Sequence, residues 1–559
     1  MQKTRTIAAF AFALAALMTS YTAADQRNED NDGGRHVLLL SIDGMHALDY
    51  ENCVAGGYCP NLAALGSTGV HYTRTSASKP SDSFPGLMAL VSGGTPRTVG
   101  AFYDVAYDRV LAPPQKDTGN GVAGGNCTPG VANGTTTEYE EGVDLDQTKL
   151  NGGGPYSLTD GGILSIDPTR LPRDPFNKCL PVYPWNFVRT NTIYGVIHAA
   201  RGYTAWSDKH PVYAAVSGPS NNASNVDDYY SPEINSTVIG LPGVTTATGL
   251  SCTAVLDPSQ TGSWTDSFQN IQCYDALKVK AILNEIDGKT HDGLKKAPVP
   301  ALFGMNFQAV SVGQKLIEGG VKGGYTDAVG TLTANMQAEI AFVDASIGQM
   351  VAELNKRGLL RSTFVIIAAK HGQSPIDPKR FTPIKATSPA HVLHDKLPFS
   401  ESPDNPDGIG PTEDDISLLW LTNANDTLTA VSQLEAAGAS AGLGQIFYGP
   451  ALTTLFNAPG VPPNGDPRTP DIIVQPNVGV VYTGSAKKQA EHGGFAHDDT
   501  NVMLLVSHPS YRARTVTSFV ETTQVAPTIL QLLGLDPNRL EAVQKEGTPV
   551  LPGLSAQDD

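Results

Sequence analysis

Two apolar runs constrain this chain more than any other feature: "HVLLLSID" at 36–43 and "FVIIAAKHG" at 364–372. Each reads as a strand buried on both faces, and each stops at residues that carry chemistry, Asp43-Gly44 in the first and Lys370-His371 in the second. Strands of this kind belong to parallel sheets, whose carboxyl ends open onto clefts. The neighbouring sequence supplies helical periodicity. "PNLAALGSTG" reads as a helix, and "SFPGLMALVSGG" as another beginning just after Ser83. Met336, Ile340, Val343, Ile347, Val351 and Leu354 recur at steps of three and four inside 325–360, making one continuous apolar face. "ALFGMNF", "DIIVQPNVGVVYT" and "NVMLLVSH" read as further strands, and "TTQVAPTILQLLGL" as a closing helix. Alternating strands and helices predict an α/β fold, a doubly wound and mostly parallel sheet.

The pattern is interrupted twice. Between 110 and 295 Gly, Asn, Pro and Thr accumulate and four of the six cysteines fall, which predicts a large loop-rich cap insertion. Within it, "YGVIHAARGYTAWSDKHPVYAAVSGPS" reads as a helix and strand returning to the core. A second Pro/Gly-rich excursion covers 373–470, with a strand in "ISLLWL" and a helix in "TLTAVSQLEAAGA". The core is therefore expected in three pieces, 36–109, 296–372 and 471–545. Ahead of it, residues 1–24 have the form of a secretory signal, with Lys3 and Arg5 before "IAAFAFALAALM", and 25–35 form a polar leader. That apolar run is too short to span a bilayer comfortably and no later segment qualifies. An exported protein, extracellular or periplasmic and without a membrane span, is expected.

Export bears on the cysteines and on charge. Six cysteines with no CxxC pair predict three disulfides in an oxidising compartment. Proximity favours Cys53–Cys59 and Cys252–Cys273, leaving Cys127–Cys179, with other pairings formally open. Loss of Lys3 and Arg5 takes the formal net charge from −17 to about −19. So acidic a surface argues against tight binding to a nucleic-acid backbone, and no nucleic-acid module is evident.

Asp43, Ser83, His371 and His492 are far apart in sequence, yet a doubly wound sheet can bring such positions to one edge. Singly, each has a structural explanation: Asp43 or Ser83 as a helix cap, the histidines as packed polar residues, His497-Asp498-Asp499 as a turn. Their order carries the meaning. "LLLSIDGM", "KPSDSFPGLMALVSGGTP", "VIIAAKHG", "EHGGFAHDD" and "TTQVAPTILQLLGL", in that succession, resemble the alkaline phosphatase superfamily, with the type I phosphodiesterase / nucleotide pyrophosphatase family the nearest match. The resemblance covers about 36–108, 300–375 and 488–540 and leaves out the insertion. It implies that Asp43 binds a divalent metal ion and that Ser83, immediately before Phe-Pro, is the nucleophile. A helix N-terminus beside that serine suits both an attacking oxygen and a phosphate. The same resemblance implies metal ligation by Ser83, His371 and His492, by one or two ions with zinc the preferred identity. It also places Asp104 where the family has a phosphoryl-contacting Asn. Lys209, in "SDKHPVY", offers a further substrate-facing cation.

Three ligand positions depart from the family. Its Asp-x-x-x-His pair corresponds here to Val310 and Gln314, with Asn306 or Gln308 offered by a shifted register, and the Asp before His371 is Lys370. A lysine about 4 Å from a unit positive charge repels it by about 4 kcal/mol at an effective dielectric near ~20, and a divalent ion by more. Either Lys370 supplies the positive charge that one metal normally contributes, beside a single ion, or Asp498 or Asp104 rebuilds a site with Lys370 turned outward. The first is preferred, because phosphoryl transfer chiefly requires positioning and positive charge. The expectation is a secreted hydrolase of phosphodiesters or nucleotide-pyrophosphate-like small phosphoester substrates through a phosphoserine at Ser83. Lys370 and His492 would stabilise charge, and Asp104 and Lys209 would contact substrate. Two alternatives stay open. One is a phosphomonoesterase or sulfatase-like hydrolase, although no Arg follows "SFPGL" as a sulfatase motif requires. The other is a catalytically inactive secreted binding protein.

Overall fold

The structure, a computed structural model, describes residues 34–118, 121–139, 162–235, 244–252, 265–398 and 412–554. The expected signal peptide lies outside the described residues.

Eight strands form the central sheet: β1 (His36–Ile42), β2 (Gly69–Tyr72), β3 (Ala205–Ser207), β4 (Asp228–Tyr230), β5 (Leu302–Phe307), β6 (Thr363–Ala368), β7 (Leu504–Ser507) and β8 (Arg514–Val516). They lie side by side in the order β8–β2–β7–β6–β1–β5–β3–β4. β1 is parallel to β6 and β5, and parallel pairing continues through β3 to β4. β7 runs against both β6 and β2. The sheet is mixed and mostly parallel, as the apolar runs predict.

Four helices cover it: α1 (Ser83–Ser92), α2 (Phe268–Ile286), α3 (Ala334–Lys356) and α4 (Val525–Leu532). Side chains alternate through the sheet with the period of two. Val37, Leu39, Ile366 and Ala368 meet Phe84 and Leu87 of α1 and Ile529 and Leu530 of α4 on one face. Leu38, Leu40, Val365 and Ile367 meet Ile271 and Leu277 of α2 and Ile340, Ile347 and Leu354 of α3 on the other. Both faces are dry, and the polar residues of these two strands, His36, Ser41 and Thr363, fall at or next to strand ends. Each aliphatic side chain buried this way contributes about 2 kcal/mol.

Two expectations about organisation change. The 110–295 stretch is not wholly a cap, because β3, β4 and α2 come from it: β3 extends the sheet beyond β5, and α2 covers the second face. "DIIVQP" (Ile472–Pro476), read as a core strand, instead joins Thr412–Glu413, Ser417–Leu419 and Leu443–Tyr448 in a separate four-stranded sheet. Its Ile473 packs with Leu418 and Trp420, and its Ile472 and Val474 with Leu419 and Leu434. An all-apolar strand reads the same whichever dry sheet it enters. The three disulfides are Cys53–Cys59, Cys127–Cys179 and Cys252–Cys273, the pairing that proximity favours.

Candidate active site

Four adjacent parallel strands end together at one rim. Ser41 of β1 is in register with Ala368 of β6 and Asn306 of β5, and Met305 of β5 with Ser207 of β3. The residues at these ends therefore stand in a row: Lys370-His371, Asp43, Asn306 with Gln308, and Asp208-Lys209.

Asp43 is the centre of the row and is fully buried. It accepts hydrogen bonds from Asn306 Nδ2 and Gln308 Nε2, each at 2.7 Å, and from Ser83 Oγ at 3.4 Å. Lys370 Nζ and His371 Nε2 are each 3.6 Å from its Oδ2. Burial alone would push this carboxyl up, but Lys370, then His371, overcome that and hold it well below the usual carboxylate range.

Lys370 points inward and is fully buried. Its Nζ is 3.0 Å from Asp208 Oδ1 and 4.6 Å above the centre of the Tyr213 ring. Asp208 is itself fixed, by Trp206 Nε1 at 3.0 Å and by the Lys209 N–H at 2.8 Å. Lys209 Nζ lies 5.8 Å from the same Tyr213 ring centre. The outward-turned alternative for Lys370 is therefore not what forms.

Ser83 is the first residue of α1, but the cap is Asp82, whose carboxylate accepts the N–H of Phe84 at 3.2 Å and of Asp104 at 3.1 Å. That leaves Ser83 Oγ available to the rim, 3.1 Å from His371 Nε2. His371 Nδ1 lies 2.9 Å from the Gly372 carbonyl, which can only accept, so Nδ1 carries a proton and Nε2 is the nitrogen turned to the serine. Gly86 allows this approach: a Cβ there would overlap the Lys370 carbonyl oxygen, so α1 meets the end of β6 backbone to backbone.

His492 stacks on His371 with ring centres 4.0 Å apart, and its Nδ1 is 3.5 Å from Asp82 Oδ1. Burial, then the charge of His371, holds its pKa well below the usual histidine value, so it is neutral at pH 7. Asp104 stands beside the α1 cap with its carboxylate accepting the Val105 N–H at 2.9 Å. The rim meets solvent at His492, 8% exposed, and Lys209, 7% exposed.

These residues do not complete the expected metal centre. Asp43 Oδ2, Ser83 Oγ and His371 Nε2 lie 3.1 to 3.6 Å from one another, edge lengths that suit ligands around one small ion. Yet both Asp43 oxygens take amide N–H donors, and an ammonium stands at its Oδ2. Val310 packs in the apolar core, and Gln314 Nε2 donates to the Gly44 carbonyl at 2.7 Å and to Tyr325 Oη at 2.8 Å. Asp498 accepts the Ile376 N–H at 3.0 Å and lines a separate groove with His46 and His497, so it rebuilds nothing here. Among the described residues, no group of three or more His, Cys, Asp or Glu side chains could hold a metal ion. No step below is routed through one.

The structure brings together Asp43, Ser83, Lys370, His371 and His492, with Lys209 at the edge and Asp104 propping α1. Sequence reasoning missed Asp208, Asp82 and Tyr213. Asp208 had a signal, since it follows a strand end as Asp43 does.

A mostly parallel sheet with a buried strand-end aspartate and a helix-initiating serine at one rim defines the class that the chain resembles, the alkaline phosphatase superfamily. Within it, the profile of the type I phosphodiesterase / nucleotide pyrophosphatase family matches residues 37–130 and 324–500. Murine ectonucleotide pyrophosphatase / phosphodiesterase 5, solved as an inactive form in complex with AMP, is similar at 14% identity over 90% of this chain and 96% of its own, with a TM-score of 0.50. The structure of human ectonucleotide pyrophosphatase / phosphodiesterase 5 is similar at 13% identity over 90% of this chain and 95% of its own, also with a TM-score of 0.50. At such identity the likeness is one of fold. No curated protein matches the sequence.

Proposed function

We propose that the protein hydrolyses phosphodiesters, small nucleotide-pyrophosphate-like esters among them, through a covalent intermediate on Ser83. The observation that carries this reading is the 3.1 Å contact between Ser83 Oγ and Nε2 of His371. A serine hydroxyl is a weak nucleophile until a base removes its proton, and this base is in place. His371 takes the proton as Oγ bonds to phosphorus. The resulting imidazolium faces Asp43, 3.6 Å away. The bond from phosphorus to the leaving oxygen, on the side opposite Oγ, then breaks; that oxygen takes a proton from solvent, and the imidazolium gives its own back to solvent. Water, deprotonated by the same imidazole, releases the phosphoryl group and restores Ser83. Lys370 and Lys209 supply positive charge for the phosphoryl oxygens, and neutral His492 is the outermost ring that an entering ester meets. Three formed disulfides support export to an oxidising compartment, and among the described residues no helix is long and apolar enough to cross a membrane.

Hydrolysis of a chromogenic bis-ester, a monoester and a sulfate ester by wild type and Ser83→Ala tests the reading. Bis-ester turnover is expected to fall about a thousandfold or more in Ser83→Ala, with the thermal midpoint nearly unchanged. Retained turnover removes Ser83 from the mechanism. Faster monoester or sulfate turnover would favour the monoesterase or sulfatase-like alternative. One observation favours a second reading, an inactive binding protein: Ser83, Asp43 and Lys370 are all fully buried. Wild type that turns over none of the three esters would establish it.

A further inference from the structure

We infer that this centre works without a resident divalent ion, because the Lys370 ammonium takes the place of one, and that Asp208 is the residue that positions it. The inference rests on the hydrolase reading above and goes on to name what supplies its positive charge.

Three observations converge. An ammonium taken fully out of water is tolerated only when it is paired and hydrogen-bonded. Lys370 Nζ has Asp208 at 3.0 Å on one side, Asp43 at 3.6 Å on the other and the Tyr213 ring face at 4.6 Å. That is a built cation site already filled by a side chain. Asp208, in turn, is not a mobile surface acid. It is fully buried at the end of β3, with one oxygen held by the Trp206 indole and the other shared between Lys370 and the Lys209 N–H. Finally, the donors around Asp43 have the wrong polarity for a metal. Asn306 Nδ2 and Gln308 Nε2 each point an N–H at the carboxylate, where a metal centre would turn lone pairs toward an ion. Together with Lys370 and the Ser83 hydroxyl, they give both Asp43 oxygens donors.

Asp208 acts through Lys370 and touches no reacting atom, so it is a positioning residue. With an uncharged side chain there, Nζ keeps one carboxylate, Asp43, and is drawn toward it and away from the phosphoryl oxygens.

The test uses purified full-length protein. Wild type is expected to contain well below one transition-metal ion per chain by elemental analysis, and to keep its bis-ester turnover after dialysis against a chelator. Lys370→Asp, which restores a carboxylate beside Asp43, Ser83 and His371, is expected to bind zinc at one ion per chain in calorimetric titration, where wild type binds none at this site. Asp208→Asn is expected to lower kcat by about tenfold to a hundredfold with KM little changed, and Asp208→Glu to recover part of that loss. A chelated wild type that loses turnover and regains it on zinc addition overturns the inference while leaving Ser83 as nucleophile. Stoichiometric zinc in wild type overturns it too. If no ester is turned over, the hydrolase reading falls, and wild-type metal analysis still decides whether an ion resides there. That measurement needs no variant to fold.

Discussion

Asp43 shows how far single side chains can be read in advance. Its position at the end of an apolar run, like those of His371 and of Ser83 at a helix start, is legible because strand and helix ends are visible as breaks in periodicity. What surrounds it is not legible. A shifted register of the family motif offers Asn306 or Gln308 for a ligand position, but nothing in the sequence says that both amides converge as donors on a carboxylate 263 and 265 residues away. A buried carboxylate depends on such donors. Replacing Gln308 by Ala removes one of them from Asp43 Oδ2, leaving charge there less well satisfied. The expected cost is about 1–3 kcal/mol of folding stability, read as a lowered midpoint in denaturant. Since Gln308 lies beside the rim and only 4% of it is exposed, turnover should fall as well.

Elements raise a different question, namely how the second sheet is fastened to the first. Asp415, in the turn before Ser417–Leu419, accepts the Gly494 N–H at 2.7 Å and is buried beside Asp499. Gly494 and Asp499 belong to the segment that carries His492. Burial, then the charge of Asp499, pushes Asp415 well up, and burial pushes Asp499 up to about 7. A carboxyl whose pKa is raised on folding stabilises the protein below its unfolded value and loses that contribution as pH rises through the folded value. Stability should therefore decline from about pH 4 to about pH 7 on account of Asp499, with Asp415 adding to the decline in the same direction. Asp415→Asn keeps a donor toward Asp499 but removes one titrating group. Thermal midpoints measured across that range should decline less steeply, and at pH 8 the variant should melt a few degrees higher than wild type. The sequence did not disclose this junction, because "EDDIS" and "AHDDT" look like solvated turns. It also misplaced the strand at 472–476, since an apolar strand does not announce its partners.

The molecule as a whole is stitched across its irregular regions. Cysteine spacing was the most readable long-range signal in the chain, because short separations make contact easy. The insertion was legible only in part: its one regular stretch reads as a helix and strand returning to the core, and that strand, β3, supplies Asp208 and Lys209 to the rim, while the Gly- and Pro-rich texture hid β4 and α2. Closing a longer loop removes more freedom from the unfolded chain. On that ground, losing Cys127–Cys179, with a separation of 52, should cost about 4 kcal/mol; Cys252–Cys273, at 21, about 3; and Cys53–Cys59, at 6, about 2. Paired Cys→Ser variants unfolded in denaturant would give that ranking, and equal losses would argue that local strain outweighs chain entropy.

The absent β-carbon of Gly86 has a consequence of its own. It sets the spacing between two pieces of main chain, and that spacing is what brings hydroxyl and imidazole within reach of each other. Even a methyl group inserted there would act as a wedge, levering α1 off the end of β6 while every reactive group kept its chemistry. Loss of turnover from such a change would report geometry alone, and would be easily mistaken for the loss of a reacting side chain.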